Sequence, residues 1–115
     1  MEADAAGIEV AHFDGGIILT FKNAKITKYR QVKTLEAQIL PLLEKAQKQR
    51  VVLDFANLRF LATPIFALLI KIREKIGKLG GQVEFCNISP TIKEVLDVTN
   101  LAKIFPISKD PRTDR

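Results

Sequence analysis

Between Arg50 and Leu79 the chain changes from one apolar rhythm to another. Val51, Val52, Leu53 and Phe55 form a run interrupted only by Asp54, as in a strand covered on both faces. Asn57 to Leu61 reads as a turn. Thr63-Pro64 then signals a helix start, with a hydroxyl suited to capping and a proline at the first helical position. From Thr63 to about Leu79, the residues Ile65, Leu68, Leu69, Ile72, Ile76 and Leu79 share one face, opposite Lys71, Glu74, Lys75 and Lys78. Phe66 and Ile70 fall beside that stripe. They belong either to a wide apolar face under a neighbouring loop or to an exposed patch for a partner.

The rest of the chain alternates strands and helices around this unit. Ile8 to Phe13 and Ile17 to Phe21 are β-prone runs joined by Asp14-Gly15-Gly16, whose glycines suit the positive φ of a tight hairpin. His12 is an ordinary residue of that hairpin. From Tyr29 to Gln49, Val32, Leu35, Ile39, Leu42, Leu43 and Ala46 recur at helical spacing around Pro41, which predicts one bent helix or two shorter ones. Gly80-Gly81 ends the Thr63 helix, and Gln82 to Asn87 follows as a strand. Ser89-Pro90 opens a third helix to about Val98. Leu101, Ile104, Phe105 and Ile107 are expected to close the core around a last short extended piece. The order β-β-α-β-α-β-α-(β) predicts an α/β domain over 8–107, a mixed sheet of about four to five strands with helices mainly on one face. Residues 1–7 and 108–115 are expected to be loose termini.

Composition narrows the function. With 115 residues there is one domain, and 47% hydrophobic against 27% charged residues is ordinary for a soluble protein. No apolar run approaches the roughly 20 residues of a membrane span, and the acidic start lacks a secretory pattern, so direct membrane insertion is not expected and a cytoplasmic location is. One cysteine, Cys86, permits no internal disulfide and reads as core; with a single histidine it forms no recognisable zinc site, and no cofactor is expected. The net charge of +5 is spread over several helix faces without a recognition motif, which argues against nucleic acid as the partner.

The search for catalytic chemistry yields little. No glycine-rich phosphate loop follows a strand, and no Gly-x-Ser-x-Gly accompanies His12, so an enzyme is not expected. Asp54 stands where α/β proteins can carry functional carboxylates, but its simpler role is to accept hydrogen bonds from turn amides. Thr63 is accounted for by helix capping alone, a contribution of about 1 kcal/mol.

At this point the chain resembles the STAS domain, the fold of anti-sigma factor antagonists. The resemblance is carried by VVLDFANLRFLAT, by Gly80-Gly81 with Val83-Glu84-Phe85, by Asn87-Ile88-Ser89-Pro90, and by Thr99-Asn100-Leu101 with Ile104-Phe105-Pro106-Ile107. Antagonists typically carry an Asp-Ser-Ser-Gly-like helix start whose serine is phosphorylated by a partner kinase that is also the anti-sigma factor. The corresponding positions here are Ala62, Thr63, Pro64 and Ile65, with the hydroxyl kept at Thr63. The resemblance implies a non-catalytic regulatory module that binds an anti-sigma factor or serine/threonine kinase through Ala62, Thr63, Pro64, Phe66 and Ile70. It also implies Thr63 as the phosphorylation candidate. The alternatives are a STAS subunit of a transport or lipid-trafficking complex, a small-ligand (nucleotide) domain, or a module in which Thr63 only caps.

Overall fold

The computed structural model describes residues 6–112. Its first element is the expected hairpin, β1 (Ile8–Phe13) and β2 (Gly16–Phe21), with Phe13 paired to Gly16 across the two-residue turn Asp14-Gly15. Of the two hairpin glycines only Gly15 takes a positive φ, of 102°. Gly16 answers a different constraint: a Cβ there would stand 2.1 Å from the Arg50 carbonyl oxygen, so glycine permits close approach to the next strand.

That next strand is β4 (Arg50–Asp54), parallel to β2 on one side and to β6 (Gln82–Cys86) on the other, in the sheet order β1-β2-β4-β6. The register aligns Ile17 with Val51 and Val83, and Leu19 with Leu53 and Phe85. These residues face the helices and join the main core. Ile18, Val52 and Cys86 alternate onto the other face as a small second cluster, half covered by Ala11 and Phe13. The central strand is thus covered on both faces, with helices on one of them.

The helical layer comprises α1 (Tyr29–Leu43), α2 (Pro64–Lys78) and α3 (Pro90–Val98). Each follows a parallel strand and runs back, so all three begin at the edge where β2, β4 and β6 end. Lys71 with Glu36 (2.7 Å) ties α2 to α1, and Lys75 with Glu44 ties it to the residue that follows α1. A row of rings, Phe21, Phe55, Phe85 and Phe105, spans the same end of the core with centroids 5.3, 4.8 and 4.4 Å apart.

Several expectations are corrected. α1 stops at Leu43, two residues past Pro41, instead of bending on to Gln49. Tight turns follow, with Lys48 left-handed at φ 61°, and Ala46 folds inward to the core. The presumed turn before Thr63 contains β5 (Phe60–Leu61), which pairs in parallel with β3 (Lys25–Ile26) as a separate two-stranded sheet. Leu101 and Phe105 close the core as expected, but Ile104 and Ile107 remain exposed; Ile107 makes a parallel bridge to Phe85 on the outer side of β6. Ala6 packs on the core and Gly7 donates its N–H to Asn23 (3.1 Å), so neither is loose. Residues 108–112 are also held, as described below. The remainder of the chain expected to be loose, residues 1–5 and 113–115, lies outside the described residues. Among the described residues no helix is long and apolar enough to cross a membrane.

The approach at Gly16 yields a direct test. Gly16→Ala should destabilise the domain by about 3 kcal/mol, because the new methyl meets backbone rather than a movable side chain. Urea unfolding followed by circular dichroism would measure it.

Candidate functional site

Two groups of residues converge where the parallel strands end. The first is the start of α2. Ala62 and Pro64 are half-buried and Thr63 is exposed. Thr63 takes helical dihedrals (φ −42°, ψ −41°), and its side chain makes no capping bond. A capping side chain requires extended backbone at its own residue. Ser89, at φ −73° and ψ 160°, meets that requirement and accepts the Ile92 N–H (3.2 Å). The capping role read for Thr63 is therefore overturned. Backbone replaces it: the N–H groups of Ile65 and Phe66 donate to the carbonyls of Ala62 (3.1 Å) and Thr63 (3.0 Å), and Pro64 has none to satisfy.

Phe66 and Ile70 lie one and two turns along α2 from Thr63. Phe66 is half-buried against the core and Ile70 is 38% exposed, so the two alternatives read for this pair divide between them. The surface also contains a residue that sequence reading missed. Phe60 is 55% exposed, with the Lys25 ammonium 5.6 Å from its ring centroid. Two residues from the buried Leu58, Phe60 would share its face in a regular strand, so the sequence pattern carried no signal that the ring points outward; the strand begins only at Phe60, where Lys25 pairs with it. Tyr29, the first residue of α1, is exposed at the same end of the molecule.

The second group is centred on Asp54, 2% exposed at the end of β4. Its Oδ1 accepts the Ala56 N–H (3.0 Å) and the Asn87 amide (2.8 Å); its Oδ2 accepts the Thr20 hydroxyl (2.9 Å) and the Arg112 guanidinium. Its role as acceptor for a turn amide is therefore present, within a larger network. Arg112 also donates to both oxygens of Asp110 (2.9 and 2.7 Å), and Ser108 donates to Glu84 (2.8 Å), which pairs with Arg50. These bonds fasten the segment expected to be a free tail across the face opposite the helices.

Asp54, Asp110 and Cys86 lie within 4.8 Å of one another, a spacing compatible with metal ligation, but the cation that the two carboxylates hold is Arg112. Burial, reinforced by the Asp54 charge, pushes the Cys86 thiol up to about 12. It stays protonated near neutrality and out of nucleophilic chemistry.

The STAS domain family model matches residues 8–113. This chain belongs to the STAS domain family. It is 24% identical over 100 residues to an anti-sigma F factor antagonist of Paenibacillus polymyxa, covering 87% of this chain and 84% of that one. Among solved structures it is similar to an anti-sigma-factor antagonist (STAS) domain protein from Planctomyces limnophilus, with TM-score 0.82, 23% identity and coverage of 93% and 92%. It is also similar to the anti-sigma factor antagonist SpoIIAA in its unphosphorylated form, with TM-score 0.75, 13% identity and coverage of 92% and 91%. For the phosphorylated form of SpoIIAA, from Bacillus, the values are 0.67, 14%, 92% and 95%. These structural likenesses establish the α/β STAS fold.

The Asp54 network has a definite pH signature. Burial raises the Asp54 carboxyl, but the bonds from Asn87, Arg112, Ala56 and Thr20 outweigh it and hold it below the ordinary value. Arg112 likewise holds Asp110 well below the carboxylate range, and Arg50 lowers Glu84, both against burial. Folded values below unfolded ones mean that this stabilisation is present above the unfolded carboxylate range near pH ~4 and lost as pH falls through the folded values. Stability from these groups should therefore be flat between about pH 5 and 7 and decline in more acid solution. Arg112→Met should lower stability at pH 7 by about 2 kcal/mol, a figure reduced for the partial exposure of Arg112, and the gap from wild type should narrow on acidification. Urea titrations at a series of pH values would check both.

Proposed function

We propose that this domain is a non-catalytic regulatory module of the anti-sigma factor antagonist type. It binds a protein partner, an anti-sigma factor or serine/threonine kinase, through the start of α2 and is switched by phosphorylation of Thr63. It acts in the cytoplasm, without a cofactor and without nucleic acid as a partner. The carrying observation is the exposed Thr63 hydroxyl, engaged in no capping bond, at the head of a surface that includes Ala62, Pro64, Phe66 and Ile70. Phe60 adds apolar area beside them.

The physical switch follows from the local donors. Since the Ile65 and Phe66 N–H groups are already engaged, a phosphate on Thr63 would gain the favourable helix dipole but little direct backbone bonding. Its charge of about −1.5 to −2 would project outward into the docking area. Substituting Thr63 does not remove a cap, so variants at this position test binding without a stability penalty of that kind.

Phosphopeptide mass spectrometry on protein from its native cell should find Thr63 modified. Thr63→Glu should weaken the complex with the co-isolated partner at least tenfold, about 1.4 kcal/mol, while the thermal melt stays within the range of wild type. Equal affinity of Thr63→Glu and wild type would sink the switch. A comparable loss in Phe60→Ala would support the aromatic's place in the docking surface.

A further inference from the structure

Of the side chains in residues 106–112, which run from the outer side of β6 to Asp54, only that of Asp110 is buried. Ile107 stays 42% exposed. The segment is therefore fastened by polar bonds, without an apolar anchor. At its near end the Phe85 N–H donates to the Pro106 carbonyl (2.8 Å) and the Ser108 N–H to the Phe85 carbonyl (2.8 Å). At its far end Arg112 donates to both Asp54 and Asp110. A segment held in this way opens locally, at a lower free energy than the whole domain unfolds. Opening takes the guanidinium from Asp54, but the donors from Thr20, Ala56 and Asn87 remain, so the buried carboxylate is still matched.

The same bonds hold two loops on the far side of the sheet's end. Arg112 and Thr20 fix Asp54 Oδ2, which leaves Oδ1 for the Ala56 N–H (3.0 Å) at the start of the loop to β5. The Asn87 amide is divided between Asp54 Oδ1 (2.8 Å) and Asp110 Oδ2 (3.0 Å), two residues before Ser89 caps α3. Arg59 and Phe60 from the first loop and Ser89, Pro90 and Thr91 from the second line one cleft, and β5 continues from there to Thr63. We infer that residues 106–112 are a releasable strap, with Arg112 as a positioning residue for the two loops that line this cleft. Fastened, the strap gives Asn87 both of its acceptors and Asp54 a fixed orientation. Released, it leaves Asn87 with one acceptor and Asp54 free to turn, so the loops loosen while the sheet and helices stand. The ordering of the loops is independent of the role of Thr63; the control it exerts on a docked partner rests on the proposed reading of the α2 start.

Hydrogen exchange on the full chain separates this role from a general contribution to stability. In Arg112→Gln, amides of residues 56–60 and 87–92 should exchange about tenfold faster through local opening. Ile39→Val, which trims the core under α1, should leave those amides at the wild-type rate. Asp110→Ala removes no donor from Asp54 and should reproduce the Arg112→Gln pattern, so it decides if Arg112→Gln misfolds. Arg112→Lys keeps the charge and should restore part of the protection. Binding to the co-isolated partner should weaken about fivefold in Arg112→Gln, because fewer molecules then present ordered loops. Unchanged loop amides in both strap variants, or acceleration spread evenly over the chain, would overturn the strap. Loosened loops with unchanged binding would overturn its control of docking. Weaker binding in Arg112→Gln alongside an inert Thr63→Glu would support the strap and count only against the phosphorylation switch.

Discussion

Asp54 has almost no contact with solvent, so its charge must be matched from within, and the groups that match it come from four parts of the chain. Thr20 belongs to β2, Ala56 to the loop after β4, Asn87 to the residue following β6, and Arg112 to the C-terminal segment. A buried carboxylate without these donors would be strongly unfavourable, so the network constrains all four segments together. Asn87 illustrates the constraint: it takes a left-handed φ of 57° and its amide reaches both Asp54 and Asp110. The loop that begins at Ala56 continues to β5 and Thr63. The start of α2 is therefore positioned from the sheet outward and does not depend on its own cap.

The parts of the fold set by short-range pattern could be read directly. Ile17, Leu19 and Phe21 against Ile18 and Thr20 fix the pleat of β2, and the stripe from Ile65 to Ile76 fixes the inward side of α2, because burial leaves each only one workable face. What could not be read was decided by distant contacts. Phe60 and Leu61 become a strand only because Lys25 and Ile26 pair with them. Gly16 needs its missing side chain because of Arg50, far along the chain. The charged stretch Ser108 to Arg112 has the composition of a free tail, and only the arrangement of Asp54, Asn87 and Glu84 on the sheet gives it an anchorage.

The site shows the same division. Thr63-Pro64 correctly marks where α2 begins, since proline at the first helical position is a local matter. Whether the threonine caps depends on its dihedrals, which the preceding β5 and its bond from the Ala62 N–H to Ile26 (3.0 Å) help to determine. Ser89-Pro90 has the same signature and does cap, because the chain leaving Cys86 and Asn87 enters α3 extended. Two similar sequence signals thus lead to different hydroxyl environments: the Ser89 oxygen is committed to a backbone amide, and Thr63 is an exposed residue whose side chain makes no capping bond.

That difference bears on how a modification would act. Phosphorylating a committed cap would have to break a bond that holds a helix, and the effect would spread through stability. At Thr63 the helix start is already satisfied by Ile65 and Phe66, so added charge would change the surface and leave the core alone. The surroundings are also basic, with Lys25 beside Phe60 on a chain of net charge +5, which favours long-range approach by an acidic partner. A phosphate would offset roughly a third of that net charge, but screening limits its reach to about 8 Å at physiological salt. Its main action would therefore be confined to the contact itself, which on the proposed reading includes the apolar surface of Phe60, Phe66 and Ile70.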